Sequence, residues 1–206
     1  VSRALLVIDV QGEYDEGTLP VAWPPRTAAL ANVRRAVDAA TARGIPVVVV
    51  QQTEKPGAPA FARGTAGWRL HPVLDGVRAD LRVQKTLPSA FSGTSLDDWL
   101  RSEGVDTVTL VGFLTHNCID STARSAAHRG YAVEVLDDAT GTIALRNAVG
   151  SVTAEELHRH TLLVLQSRFA GVLSTDGWVA ALDGGSRPAP TGLLASAAAA
   201  LEMVAP

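Results

Sequence analysis

The chain has 206 residues, 47% of them apolar, which fits one globular domain with a core of ordinary size. A formal net charge of −3, with lysines and arginines scattered singly, gives no basic stripe to follow a phosphate backbone and excludes nucleic acid as the expected partner. No apolar run reaches the roughly 18 residues that span a bilayer, and the one cysteine, Cys118, cannot close an internal disulfide, so a cytoplasmic protein without membrane contact is expected.

Ala4 to Val10, ALLVIDV, is a continuous apolar run broken only by Asp9, the pattern of a central parallel strand with a carboxylate at its C-terminal tip. Such a carboxylate is costly without a task or a partner, unless it merely opens the next turn. Gln11 to Pro25 is a polar, proline-punctuated connection containing Tyr14. Arg26 to Arg43 then has Leu30, Val33, Ala36, Val37 and Ala40 at helical spacing, with Gly44 as its stop. Ile45 to Val50 reads as a second buried strand. Gln51 to Pro72 follows as a long Gly/Pro-rich segment carrying Phe61 and Trp68, of a length that is usually functional. Leu81 to Lys85 is a short third strand ending in a lysine, and LPSAFSGT leads to a helix near Ser95 to Glu103, with Ser95 as its cap and Leu96, Trp99 and Leu100 as its buried face.

The stretch from Asp106 to Arg124, DTVTLVGFLTHNCIDSTAR, organises the rest. Val108, Leu110 and Val111 form a buried strand that Gly112 breaks, and Asn117 is placed to cap a helix running to Gly130. Cys118 then falls in a helix's first turn, where free N–H groups and the helix dipole favour a thiolate; a buried structural cysteine is the competing reading. Tyr131 to Leu136 is a fifth strand. Helical segments are expected near Ile143 to Val149 and Thr153 to His160, the latter opened by Thr153 and Glu156 in capping-box spacing. Thr161 to Leu165 and Phe169 to Leu173 are both strand candidates, of which the second is taken as the last strand, followed by a helix over Ser174 to Leu182. The tail, residues 184–206, is rich in Gly, Pro and Ala, with one short apolar helix expected over Leu193 to Val204 that packs on a neighbouring subunit or frays. Strands alternating with helices predict a doubly wound α/β fold over residues 1–183, with a parallel sheet covered on both faces.

In an open parallel sheet the working site lies at the carboxyl ends of the strands, and Asp9, Lys85 and Cys118 all fall at that edge. A thiol, a carboxylate to take its proton and an ammonium to hold the negative charge are the parts of a nucleophilic site. LLVIDVQ, the lysine of QKTLPSAF, and VGFLTHNCIDSTARSAAHRGYAVEVLDDA resemble the three signatures of the isochorismatase-like cysteine hydrolase family, over about Ala4 to Leu182. The resemblance implies a Rossmann-like fold with a six-stranded parallel sheet, and Asp9 as general base, Lys85 as charge partner and Cys118 as nucleophile. It further implies a cis peptide at Phe113–Leu114, an oxyanion hole from the backbone N–H groups of Leu114 and Cys118, and assembly as a homodimer or homotetramer. The reaction so implied is cleavage of a small-molecule amide through a thioester.

Nicotinamidases within that family bind a metal through an aspartate and two histidines after the second strand. Here Gln51 to Leu70 has neither residue type and His71 stands alone, so neither a metal nor another cofactor is expected. His158 and His160, two residues apart on a helix, do not face one another. Tyr14, Phe61, Trp68 and Phe91 are candidates to line the pocket or simply to pack in the core, and His116 either touches substrate or stabilises its turn. The family's vinyl ether hydrolases, which do not use a cysteine nucleophile, and a non-catalytic thiol sensor on the same fold are the alternatives.

Overall fold

Six apolar runs pair into one sheet in the computed structural model, which describes residues 1–203. In chain order the strands are β1 (Arg3–Ile8), β2 (Val47–Gln52), β3 (Leu81–Lys85), β4 (Thr107–Phe113), β5 (Ala132–Gly141), a small hairpin of β6 (Leu145–Asn147) and β7 (Gly150–Val152), and β8 (Gly171–Leu173). The sheet runs β3-β2-β1-β4-β5-β8, and every neighbouring pair in it is parallel. Helices α1 (Arg26–Ala42), α2 (Leu96–Ser102), α3 (Asp120–His128) and α4 (Ala154–Arg168) make the crossovers, and α5 (Thr175–Asp183) and α6 (Leu193–Glu202) follow.

The inner strands β1, β2 and β4 are largely apolar because both faces are covered, whereas the edge strand β3 exposes Arg82 and Gln84. Leu6, Ile8, Val48, Val50 and Leu110 point to one side, under Leu96 and Leu100 of α2, Ala123 and Ala126 of α3, and Leu162 and Leu165 of α4. Leu5, Val7, Val47, Val49 and Val111 alternate to the other side, under Leu30, Val33 and Val37 of α1 and Trp178 of α5.

Chain order reverses between β1 and β4, so the connections leaving their carboxyl ends diverge and open a crevice there. The two strands approach so closely at this point that only glycine fits: Gly112 has φ +112, and a Cβ on it would lie 2.0 Å from the Ile8 carbonyl oxygen.

Several local expectations are corrected. Residues Ile143 to Val149 are not helical; they enter the β6–β7 hairpin, whose turn is made by Asn147 Oδ1 accepting from the Val149 N–H at 2.9 Å. Thr161 to Leu165 is not a strand, because the Thr153–Glu156 capping box starts α4 and buried Ala154, His158, Leu162 and Leu165 carry one helix face through to Arg168. Ser95 makes no side-chain cap; Thr94 Oγ1 accepts from the Leu96 N–H instead, and Trp99 is half-buried. In the tail, α6 covers most of the expected helix, whose last residue, Val204, lies outside the described residues. It buries none of its side chains and exposes Leu193, Leu194 and Leu201. No helix of the described residues is long and apolar enough to cross a membrane.

Gly112→Ala must displace the β1 backbone or abandon the turn, at a cost of about 3 kcal/mol or more, which in a domain of this size lowers the melting temperature by about 6–12 °C. Thermal unfolding of the purified variant measures it; an unchanged melting temperature would mean that β1 and β4 are not held this tightly.

Candidate active site

Three strand ends deliver three side chains to the crevice. Asp9 follows β1 in a left-handed conformation, φ 53, which Asp tolerates better than most residues. Lys85 ends β3, and Cys118 lies just beyond β4. All three are buried, with Asp9 0%, Lys85 2% and Cys118 4% exposed. The Lys85 ammonium joins them: its Nζ is 2.7 Å from Asp9 Oδ2, 3.3 Å from Cys118 Sγ and 2.7 Å from Gln52 Oε1. The contact to Asp9 is an ion pair off hydrogen-bond alignment, and neither carboxylate oxygen accepts an aligned hydrogen bond.

Burial raises the Asp9 pKa above the usual carboxylate range, against the lowering pull of Lys85. For Lys85 burial disfavours the charged form, but Asp9 and then Cys118 outweigh it and leave the pKa raised. Burial, and after it the Asp9 carboxylate, pushes the Cys118 thiol up to about 12 in spite of Lys85. Cys118 is therefore held as the thiol and Lys85 as the ammonium. The first-turn thiolate expected from the helix terminus is overruled by desolvation.

The turn that carries the thiol is also different in detail. Leu114, not Asn117, occupies the cap position, and residues Thr115–Ile119 form one wide turn in which the Ile119 N–H reaches back five residues to the Leu114 carbonyl at 3.2 Å. The Phe113–Leu114 peptide is cis. His158 of α4 braces this turn: its Nδ1 accepts from the Thr115 hydroxyl at 2.9 Å and its Nε2–H donates to the Asp137 carbonyl at 3.1 Å. Those are the roles of the neutral ring with its proton on Nε2, the form favoured by burial, which lowers the His158 pKa to about 4. His160 does not share these contacts and is exposed.

A cavity of about 370 Å³ reaches the thiol. It is lined by Cys118, Leu114, Asn117, Tyr14, Leu19, Gln52, Glu54, Thr86, Pro88 and the segment Ala58 to Phe61. Of the aromatic candidates, Tyr14 and Phe61 line it, packed on each other with ring centroids 5.2 Å apart. Trp68, Phe91 and His116 do not line it. Trp68 turns its indole N–H to Thr53 Oγ1 at 2.9 Å, Phe91 is buried against Tyr131 beneath the sheet's other face, and His116 bonds Thr142 Oγ1. A larger cavity, about 660 Å³, lies across the Ala58–Phe61 wall and contains none of the three clustered residues. There His71 Nε2 lies 3.0 Å from Asp15 Oδ2, and among the described residues no group of three His, Cys, Asp or Glu side chains is gathered closely enough to hold a metal ion.

Sequence reasoning missed two glutamines. Gln11 is 1% exposed and clamps the backbone of Gln52 from both sides, Oε1 accepting the Gln52 N–H at 2.9 Å and Nε2 donating to the Gln52 carbonyl at 3.0 Å. Gln52 in turn offers its side-chain oxygen to Lys85. The buried position of Gln11 beside the apolar β1 run was the only signal.

Known proteins share the sequence pattern and the fold. Residues 3–177 match the model of the Isochorismatase domain. The crystal structure of a protein assigned to the isochorismatases, from Burkholderia xenovorans LB400, superposes with a TM-score of 0.97 at 50% identity, covering 100% of this chain and 99% of that one. Streptothricin hydrolase of Streptomyces noursei is 38% identical over 149 residues, 72% of this chain and 58% of that protein. Ureidoacrylate amidohydrolase RutB of Methylobacterium radiotolerans is 30% identical over 229 residues, 91% of this chain and 82% of its own length.

Two titrations follow. Between about pH 6.5 and about pH 4 unfolded His158 takes up a proton that the native ring refuses, so its contribution to stability is present above that window and is lost as pH falls through it. Melting temperatures of the native chain accordingly decline over this range more steeply than those of His158→Gln, and parallel curves would contradict the neutral-ring assignment. For the thiol, difference absorbance at 240 nm against Cys118→Ala shows no thiolate step between about pH 5 and 9 in the native chain, and Asp9→Asn moves the midpoint downward. A step near neutrality would mean that the resting group is a thiolate.

Proposed function

The chain belongs to the isochorismatase family, and from that membership and the buried Asp9–Lys85–Cys118 cluster we propose that it is a hydrolase that cleaves the C–N bond of a small amide through a thioester on Cys118. The observation that carries the reading is the Lys85 ammonium, in contact with both the carboxylate and the sulfur. Moving the thiol proton to Asp9 shifts one negative charge from oxygen to sulfur beside the same ammonium, so no net charge is created in the dry site.

The thiolate attacks the carbonyl carbon, and the new oxyanion is received by the backbone N–H groups of Leu114 and Cys118, a role that typically supplies about 3–4 kcal/mol per donor. Collapse breaks the C–N bond as Asp9 returns its proton to the departing nitrogen, releasing ammonia or an amine. Water then adds to the thioester, Asp9 takes one of its protons, and the acid leaves as the thiol is restored. The two similar enzymes named above, one of them an amidohydrolase by name, support the C–N bond as the target. A thiol pushed up to about 12 and only 4% exposed fits poorly with a peroxide sensor, which needs an accessible thiolate.

Release of ammonia or amine from a panel of primary amides, ureido compounds and lactams tests the reading. Cys118→Ala and Asp9→Asn each lower turnover of any accepted substrate by about a thousandfold or more. Turnover that survives stoichiometric alkylation of Cys118 would overturn the thioester route.

A further inference from the structure

Among the residues lining the cavity that reaches Cys118, Glu54 is the one acidic or basic side chain. It forms no ion pair among the described residues; the nearest arginine in sequence, Arg63, gives its guanidinium to Gln84 Oε1 at 2.7 Å and lies over the Trp68 ring. The rest of the wall is largely apolar: Tyr14, Leu19, Ala60, Phe61, Pro88 and Leu114.

The carboxylate is held in place. Its backbone is stitched to the facing segment, with the Glu54 N–H donating to the Phe61 carbonyl at 2.9 Å and the Arg63 N–H donating to the Glu54 carbonyl at 3.1 Å. Its Oε1 accepts from Gln52 Nε2 at 2.8 Å. Gln52 cannot flip its amide without setting its NH2 against the Lys85 ammonium and its oxygen against Glu54, so the bond is fixed in one sense. Glu54 Oε2 takes no hydrogen bond from the protein's described residues.

A fixed carboxylate without an ion-pair partner, on a largely apolar cavity wall, attracts cations and repels anions more strongly than it would in water. We propose that Glu54 sets the charge preference of the substrate: beyond the scissile amide, the preferred substrate carries a cationic nitrogen, an ammonium or guanidinium, and one with a carboxylate at that end is rejected. The inference rests on the hydrolase reading above for the word substrate, but the field of Glu54 at Cys118 is independent of it.

Two measurements keep these apart. The first compares kcat/KM for three primary amides of matched length, 5-aminopentanamide, pentanamide and 4-carboxybutanamide, in the native chain and in Glu54→Gln. The native chain favours the cation over the anion by about tenfold or more, and the variant brings that ratio close to one. The ratio cancels any general loss of activity in the variant. The second uses the single thiol: rates of mixed-disulfide formation at Cys118 with a cationic and an anionic methanethiosulfonate, whose ratio falls about fivefold or more in Glu54→Gln. An unchanged thiol ratio, or an amide preference that Glu54→Gln leaves intact, overturns the proposal. If neither these amides nor the wider panel of ureido compounds and lactams is turned over while the thiol ratio shifts, the amide-hydrolase reading fails and the role of Glu54 as the cavity's charge selector stands.

Discussion

A lysine ammonium excluded from water governs the carboxyl edge of this sheet. Removing a charge from solvent costs several kcal/mol unless close partners replace the lost hydration, and Lys85 finds them in Asp9, Gln52 and Cys118, each from a different strand end. Meeting that requirement constrains the chain over long distances. β3 must reach across β2 to β1, Asp9 must take a left-handed turn, and β4 must come close enough that Gly112 cannot carry a side chain. The reversal of strand order between β1 and β4 then leaves room above the cluster for a ligand.

Around that ammonium, charge is conserved locally. Burial pushes both the thiol and the carboxylate toward their neutral forms, and the lysine supports one negative charge wherever it resides. Gln11 and Gln52 extend this order outward, since a backbone clamp fixes Gln52 and Gln52 fixes the relation between Lys85 on one side and Glu54 on the other. His158 does the same for the thiol-bearing turn from behind, through a ring that burial keeps neutral. The fold alone does not choose a substrate; the choice lies in the side chains facing the cavity.

Much of this was legible in the sequence where one physical signal dominated. Apolar runs with no polar alternation marked the buried strands, and Asp9, Lys85 and Cys118 were conspicuous because ionisable groups seldom end such runs without purpose. Legibility failed where two signals competed. Thr161 to Leu165 is β-branched and aliphatic enough to resemble a strand, but the capping box eight residues earlier and the burial of His158, Leu162 and Leu165 at helical spacing decided for α4. Ile143 to Val149 has apolar residues at helical spacing, yet Asn147 and Gly150 supplied a turn that outweighed them. Phe91 follows the lysine closely in sequence but passes under the sheet to stack on Tyr131, while Pro88 reaches the cavity. Gln11 was marked only by its place directly after the apolar β1 run, and Glu54 and Gln52 gave no signal, because no periodicity tells which polar side chain past a strand end will face a cavity.

The position of β3 in the sheet has a further effect. It is a five-residue edge strand, paired on one side only, and it alone brings the ammonium to the cluster. Edge strands open at lower free energy than the strands they flank. Opening of β3 alone would withdraw the cation from a carboxylate and a thiol carried by the inner strands, while the pairing of β2, β1, β4 and β5 stays in place. The sheet and the cluster at its edge thus depend on different strands.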